Sequence, residues 1–262
     1  MEINGTLKST LRKLPFAPQV LRALKDYGAM RAFKKDFRRF KELSSRKQAQ
    51  LTVDWKDRYP CLMEKTVKTA FEPHYTYHPA WAARILKKTM PEYHVDISSV
   101  LNFSCIVSAF IPVRSYHYDP VHIRLPGLTL EQADLLDLPF DTNSVPSLSC
   151  MHVVEHIGLG RYGDTLDPDG DCKAVSELKR VLAPGGDLLF VVPVGRPRIQ
   201  FNAHRIYSYE QIMEYFDDLA ICQFALVPDE DSGTGIIEDA TAEMADKQTY
   251  GCGCFWFKKG RI

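Results

Sequence analysis

The sequence predicts an α/β fold: a mainly parallel seven-stranded sheet with helices on both faces, a C-terminal antiparallel hairpin, and a basic helical extension in front of it. Three observations carry this. From residue 93 onward, short apolar runs alternate with amphipathic segments, as strands joined by crossover helices do. The run Asp187–Val192 is apolar after its first residue, as a strand buried on both faces must be. The last two runs, Leu219–Val227 and Tyr250–Lys258, are joined by an acid-rich loop with no helical period, which suits a hairpin rather than a crossover.

The elements follow in order. Phe33, Phe37 and Phe40 stand at i, i+4 and i+7, with Met30 and Leu43 extending the stripe, so Pro18–Leu43 reads as a helix. Its apolar stripe suits packing on a core; its lysines and arginines also suit an anionic membrane surface. Residues 44–75 read as a connection, and Pro79 suits the first turn of a helix carrying Trp81, Ile85 and Leu86. A helix through both His74 and His78 is disfavoured by Pro79, so the pair reads as loop. Strands are expected at Tyr93–Ile97, Arg114–Tyr118, Leu128–Ala133 and Ser147–Val153, with helices after the first and at Asp171–Leu182. Ser208-x-x-Gln211 is a capping box that opens another helix. Residues 195–207 read as loop.

Composition sets the class. The 262 residues are 45% hydrophobic and 25% charged, an ordinary globular balance, and allow one α/β domain with an extension. We divide them into residues 1–72, the basic extension, and 73–262, the sheet domain. Residues 1–72 hold 17 Lys/Arg against 8 Asp/Glu, so the remainder of this neutral chain is acidic by 9. No apolar run is long enough to span a membrane, and seven cysteines, mostly in apolar runs, suit free thiols in a reducing compartment. A cytoplasmic protein is expected, with possible peripheral membrane contact through the basic helix and without nucleic-acid binding, since no reader motif accompanies the basic residues.

Chemistry-bearing residues gather at strand ends, where open α/β sheets bind ligands. Asp96, Asp119 and Asp134 follow the first three strands. Asp119 stands where a ribose-binding acid is expected. The loop after the fourth strand holds His152, Glu155, His156, Arg161, Tyr162 and Asp164; the one after the fifth holds Arg196, Arg198, Asn202, His204 and Arg205. HVVEH also fits H-x-x-E-H, but it ends a strand, where positions 152 and 156 lie roughly 13 Å apart. DPDGD departs from a calcium loop in the place of its glycine. GLGRYGD lacks the Lys and Ser/Thr of a P-loop. No metal is expected.

Asp134-Leu-Leu-Asp-Leu-Pro-Phe140, HVVEH, LKRVLAPGG and LLFVVP together resemble the class I S-adenosylmethionine-dependent methyltransferases over about Tyr93–Phe257. The phrases HVDISS, SCMHVVEHIGLGRYGD and FNAHRIYSYEQI look like an uncharacterised methyltransferase-like family of unknown function. The resemblance implies a Rossmann-like sheet with S-adenosylmethionine as cofactor. It places Asp96, Ser98 and Ser99 at its methionine part, Asp119 at the ribose, Asp134 and Leu135 at the adenine, and His152 beside it. His156, His204 and Asp164 become candidate bases. Glu155, Arg161, Tyr162, Arg198, Asn202 and Arg205 become acceptor contacts, with a sugar, glycan or other small polar molecule as acceptor. One departure stands out: Asp96-Ile-Ser-Ser99 lacks the family's Gly-x-Gly. The alternative is an inactive methyltransferase fold serving as a binding or regulatory module.

Overall fold

The computed structural model describes residues 17–46, 51–62, 71–229 and 234–261. It divides into two units, Met1–Ala70 and Phe71–Ile262. In the first, helix α1 (Ala17–Arg46) runs as its period predicts. Phe33 and Phe37 pack on Trp55, with ring centroids 6.1 and 4.9 Å away, and Arg58 caps the other side of that indole at 4.6 Å. Phe40 and Leu43 stay exposed, so the stripe is only partly covered. Among the described residues no helix is long and apolar enough to cross a membrane.

The second unit holds α2 (Pro73–Thr89), β1 (His94–Asp96), α3 (Leu101–Val107), β2 (Val113–His117), β3 (Leu128–Gln132) and β4 (Val145–Met151). Then come α4 (Gly170–Val181), β5 (Leu182–Val194), β6 (Arg198–Gln200), β7 (His204–Ile206), α5 (Tyr209–Tyr215), β8 (Leu219–Val227), α6 (Ala242–Asp246) and β9 (Gly251–Lys259). The seven-stranded sheet has the order β3-β2-β1-β4-β5-β9-β8. Its first five strands pair in parallel, and β9 runs antiparallel between β5 and β8. The direction of winding reverses between β1 and β4, the switch point where α/β sheets bind ligands.

Side-chain alternation fills both faces. Leu188, Phe190, Val192 and Val194 of β5 pack with Ala174, Val175 and Leu178 of α4. Leu189 and Val191 face the other way, onto Trp81, Ile85 and Leu86 of α2 and Phe103 and Val107 of α3. Each such buried side chain contributes roughly 1.5–3 kcal/mol.

Two expectations fail. Helix α2 starts at Pro73, passes through His74 and His78, and carries Pro79 inside it. Proline there removes one bond to the Tyr75 carbonyl, costing about 3 kcal/mol. Six buried residues, Trp81, Ala82, Ile85, Leu86 and the two histidines, outweigh that cost. Residues 195–207 are not a plain loop, because Arg198–Gln200 and His204–Ile206 pair as an antiparallel hairpin. The run is too short and too polar for its strands to be read from alternation. The capping box at Ser208 and Gln211 forms with both hydrogen bonds present.

Under the switch point lies His94, fully buried between Ser147 Oγ at 2.8 Å and Ser149 Oγ at 2.9 Å. Burial pushes its pKa down to about 3 from the ordinary 6.5. Over that window the unfolded chain binds a proton that the folded one refuses, so stability falls with pH. Urea unfolding from pH 6.5 down to 4 should show His94→Gln flattening this acid limb by about 1.4 kcal/mol per pH unit relative to wild type. Parallel curves would disprove the assignment.

Candidate functional site

The register places Asp96 of β1 beside Ser149 of β4 across the switch point. Asp96 is fully buried and accepts hydrogen bonds from the hydroxyls of Ser98, Ser104 and Ser149. Burial raises its pKa and these hydroxyls pull it back. Asp96 and Ser98 were expected to face a cofactor, but their polar groups are spent on one another. They shape the first loop from beneath. Ser99 is exposed, its N–H and hydroxyl donating to the Met151 carbonyl at 3.1 and 3.3 Å. Outside glycine, positive φ occurs among the described residues at Met90, Asn143, His152 and Asp239, and nowhere in Asp96–Ser99. The loop therefore has no left-handed position that demands glycine.

Asp119 follows β2 and is exposed. Asp134 follows β3, also exposed, with one oxygen accepting from Leu136 N at 2.9 Å. The Leu135 side chain lies in the core, so only its backbone is left to meet a ligand.

His152 follows β4 with φ of 55°, a strained conformation for a non-glycine residue. Its N–H reaches the Val191 carbonyl at 2.8 Å, which holds the turn. The ring is buried among His74, Tyr75 and His78 of α2, with centroids 5.8, 5.3 and 5.1 Å away. Nδ1 lies 2.8 Å from Glu155 Oε1, and Nε2 lies 3.5 Å from Cys252 Sγ. Glu155 was expected to touch an acceptor, but it is buried behind His152, with Oε2 unpartnered. Burial opposes a proton on His152, yet Cys252 and Glu155 hold its pKa up to about 10. Burial also pushes the Cys252 thiol well up, so Glu155 is the partner that keeps His152 protonated. Burial, then His152, pushes His74 down to about 4 and His78 to about 3.

The loop beyond supplies surface groups and staples. His156 Nδ1 donates to the Ala203 carbonyl at 2.7 Å, leaving Nε2 with its lone pair. His204 is half-buried, its ring 4.8 Å from Tyr250, and burial lowers its pKa. Arg161 donates to Ala203 O at 3.0 Å and lies over the exposed Tyr162. Arg198 and Asn202 are at the surface, with Arg198 also holding the Arg196 and Thr249 carbonyls.

Two candidates have other work. Asp164 accepts from the N–H groups of Gly158, Gly160 and Tyr162 at 2.8, 3.2 and 3.2 Å. Burial alone would raise its pKa, but these donors together lower it, which makes it a loop staple and a weak base. Gly158, at φ +79°, is required there, since a Cβ would stand 2.1 Å from the Asp167 carbonyl oxygen. Arg205 is buried, 3.4 Å from Asp171, and donates to the Ile157 and Pro168 carbonyls at 2.6 and 3.1 Å. It ties β7 to the loop and does not reach outward.

The sheet order, the reversal between β1 and β4, and the antiparallel strand inserted beside the edge strand settle the architecture. The fold is a Rossmann-like, mainly parallel α/β sheet with a C-terminal antiparallel pair. A family described as "Caenorhabditis protein of unknown function, DUF268" matches residues 142–221, from β4 into β8. No curated protein matches the chain in sequence. Among solved structures, N-methyltransferase NodS from Bradyrhizobium japonicum WM9, in complex with S-adenosyl-L-homocysteine, is 11% identical, with TM-score 0.49 over 76% of this chain and 91% of that one. The 1,6-didemethyltoxoflavin-N1-methyltransferase of Burkholderia thailandensis, with 1,6-didemethyltoxoflavin and S-adenosylhomocysteine bound, is 11% identical, with TM-score 0.49 over 70% and 78%. The cyclase SpnF is 13% identical, with TM-score 0.49 over 70% and 81%.

The sequence reading missed Tyr75, Tyr250 and Cys252, and set His74 and His78 aside. The four-residue spacing of the histidines was the available signal. Arg205→Met should cost about 3 kcal/mol in urea unfolding, because it leaves the buried Asp171 carboxylate without its cation, held only by the Tyr207 and Tyr215 hydroxyls; Arg198→Ala should change stability little. Equal stability for Arg205→Met and wild type would contradict the buried clamp.

Proposed function

We propose that this chain binds S-adenosylmethionine across the carboxyl ends of β1, β2 and β3 and transfers its methyl group to a small polar acceptor held by the loops after β4 and β5. The observation that carries the reading is the row of acidic turns beside the switch point: Asp96 buried beneath the first loop, Asp119 and Asp134 exposed at the next two strand ends. The donor set fits the cofactor. A ribose diol presents hydroxyl donors to Asp119, and adenine presents an amino group to Asp134. With Ser98 turned inward and Ser99 exposed, the first loop offers its backbone and the Ser99 side to the methionine part without needing glycine.

When bound, S-adenosylmethionine would supply an electrophilic methyl carbon, with the neutral thioether of S-adenosylhomocysteine as the leaving group. The protein's part is then positioning and proton removal. His156 is the favoured base, since its Nδ1 is committed to Ala203 O and Nε2 carries the lone pair. His204 stands nearby, its ring centroid 6.3 Å from that of His156. The exposed Arg161 and Arg196 and the half-buried Arg198 are cationic groups in these two loops. Those groups favour an acceptor that loses a proton and carries negative charge, such as the hydroxyl of an acidic sugar or glycan.

Calorimetric titration of the full chain with S-adenosylmethionine and S-adenosylhomocysteine tests the cofactor half. Binding is expected, and Asp119→Ala should weaken it about 10–100-fold, the worth of a hydrogen bond to a charged group. Folded protein that takes up neither ligand at millimolar concentration would overturn the reading.

A further inference from the structure

Tyr250 and Cys252 of the β9 end, His152 after β4, and His74 and His78 of α2 converge from three distant stretches of sequence on one buried place. The methyl-transfer reading uses none of His74, His78 or Cys252. One ligand atom each from His74, His152 and Cys252 lies within 4.8 Å of the other two, and all three residues are buried. We propose that His74, His152 and Cys252 form a binding site for a single divalent transition-metal cation of the zinc class.

Donor chemistry selects the class. Two imidazoles and a thiolate suit zinc and its neighbours, whereas calcium and magnesium require oxygen ligands. The geometry is already close. Zinc bonds of about 2.05 Å to nitrogen and 2.3 Å to sulfur, at the tetrahedral angle, separate the two donors by about 3.5 Å. Cys252 Sγ and His152 Nε2 are 3.5 Å apart. The remaining separations, at most 4.8 Å, need a contraction of up to about 1.5 Å, which ring rotation by His74 on its helix can supply.

The surroundings orient these donors as metal ligands are oriented. His152 Nδ1 faces Glu155 at 2.8 Å, so Nε2 is the atom presented to Cys252. A carboxylate behind a ligating histidine fixes its tautomer and strengthens its bond to metal. The His74 ring stacks on that of Tyr250, with centroids 5.2 Å apart, and on that of His152 at 5.8 Å. A further observation points to a missing partner. His78 is fully buried, gives its Nδ1 proton to the His74 carbonyl at 2.7 Å, and has no partner at Nε2. A buried lone pair without a donor is costly, and its ring lies 5.1 Å from that of His152. A metal-bound water donating to His78 Nε2 accounts for it. Binding releases the protons held by Cys252 Sγ and His152 Nε2 to solvent, so the thiolate and two neutral imidazoles face the cation.

The test is cobalt(II) titration of the full chain after chelator treatment, without any cofactor, so its outcome is independent of S-adenosylmethionine affinity. The proposal expects about one equivalent of Co2+ per chain, with a thiolate-to-cobalt charge-transfer band and displacement by zinc. Cys252→Ser should abolish that band, while Cys254→Ser, 3.8 Å away at sulfur, should keep it. His74→Gln, a change on a helix rather than in the sheet, should weaken cobalt at least about tenfold, and Glu155→Gln about 10–100-fold, as for groups that orient ligands. Circular dichroism confirms the fold of each variant. A folded wild-type chain that gives no charge-transfer band would overturn the site, as would a band surviving in Cys252→Ser or an unchanged affinity in His74→Gln.

Discussion

The Asp96 carboxylate holds the functional end of this molecule together. It accepts from Ser98 in the loop after β1, Ser104 in α3 and Ser149 in β4, so one buried charge joins three elements at the place where winding reverses. A lone buried carboxylate is expensive, and three hydroxyl donors are what make it tolerable. The hydrogen bonds also settle the neighbours. Ser149 gives its proton to Asp96 and must accept from His94 Nε2, which leaves His94 Nδ1 to accept from Ser147. The result is a neutral histidine and an ordered first loop, with the strand ends of β2 and β3 presenting Asp119 and Asp134 beside it.

The same constraint divides labour along the edge. On one side of the switch point, acids at exposed turns suit a nucleoside. On the other, the strained turn at His152 drives an imidazole into a pocket of rings from α2 and the start of β9. Glu155 and Arg205, which look like surface groups in a charged loop, are buried and hold that loop: the first through His152, the second through Asp171 and two carbonyls. Asp164 does the same through backbone N–H groups. The residues left exposed, Arg161, Tyr162 and Asn202, and the half-buried His156, Arg198 and His204 are fewer and better defined than the loop composition suggests.

Much of the fold was legible because its buried strands are short apolar runs set between amphipathic segments. The apolar run of β5 and the turns after β1, β2 and β3 fall where sequence places them, and the capping box at Ser208 forms as written. Helix α2 was not legible, since a proline at 79 argues locally against the helix that six buried residues impose. The β6–β7 hairpin has three-residue strands and no alternation to read. Site residues divide on burial. Asp119 and Asp134 were legible as strand-end acids, whereas sequence cannot say that Asp96, Glu155 and Arg205 turn inward. Cys252 reads as one more apolar residue of a strand; only the antiparallel insertion of β9 brings it opposite His152.

The central claim is that the switch-point edge is a cofactor site, with its adenosyl side over β1–β3 and its transfer side toward β4. A crystal structure of the full chain with S-adenosylhomocysteine tests it most directly. The account predicts the ribose within hydrogen-bonding distance of Asp119, the adenine beside Asp134, and the sulfur pointing toward the loop after β4. Ligand seated elsewhere, or an adenosyl group that contacts neither Asp119 nor Asp134, would contradict it.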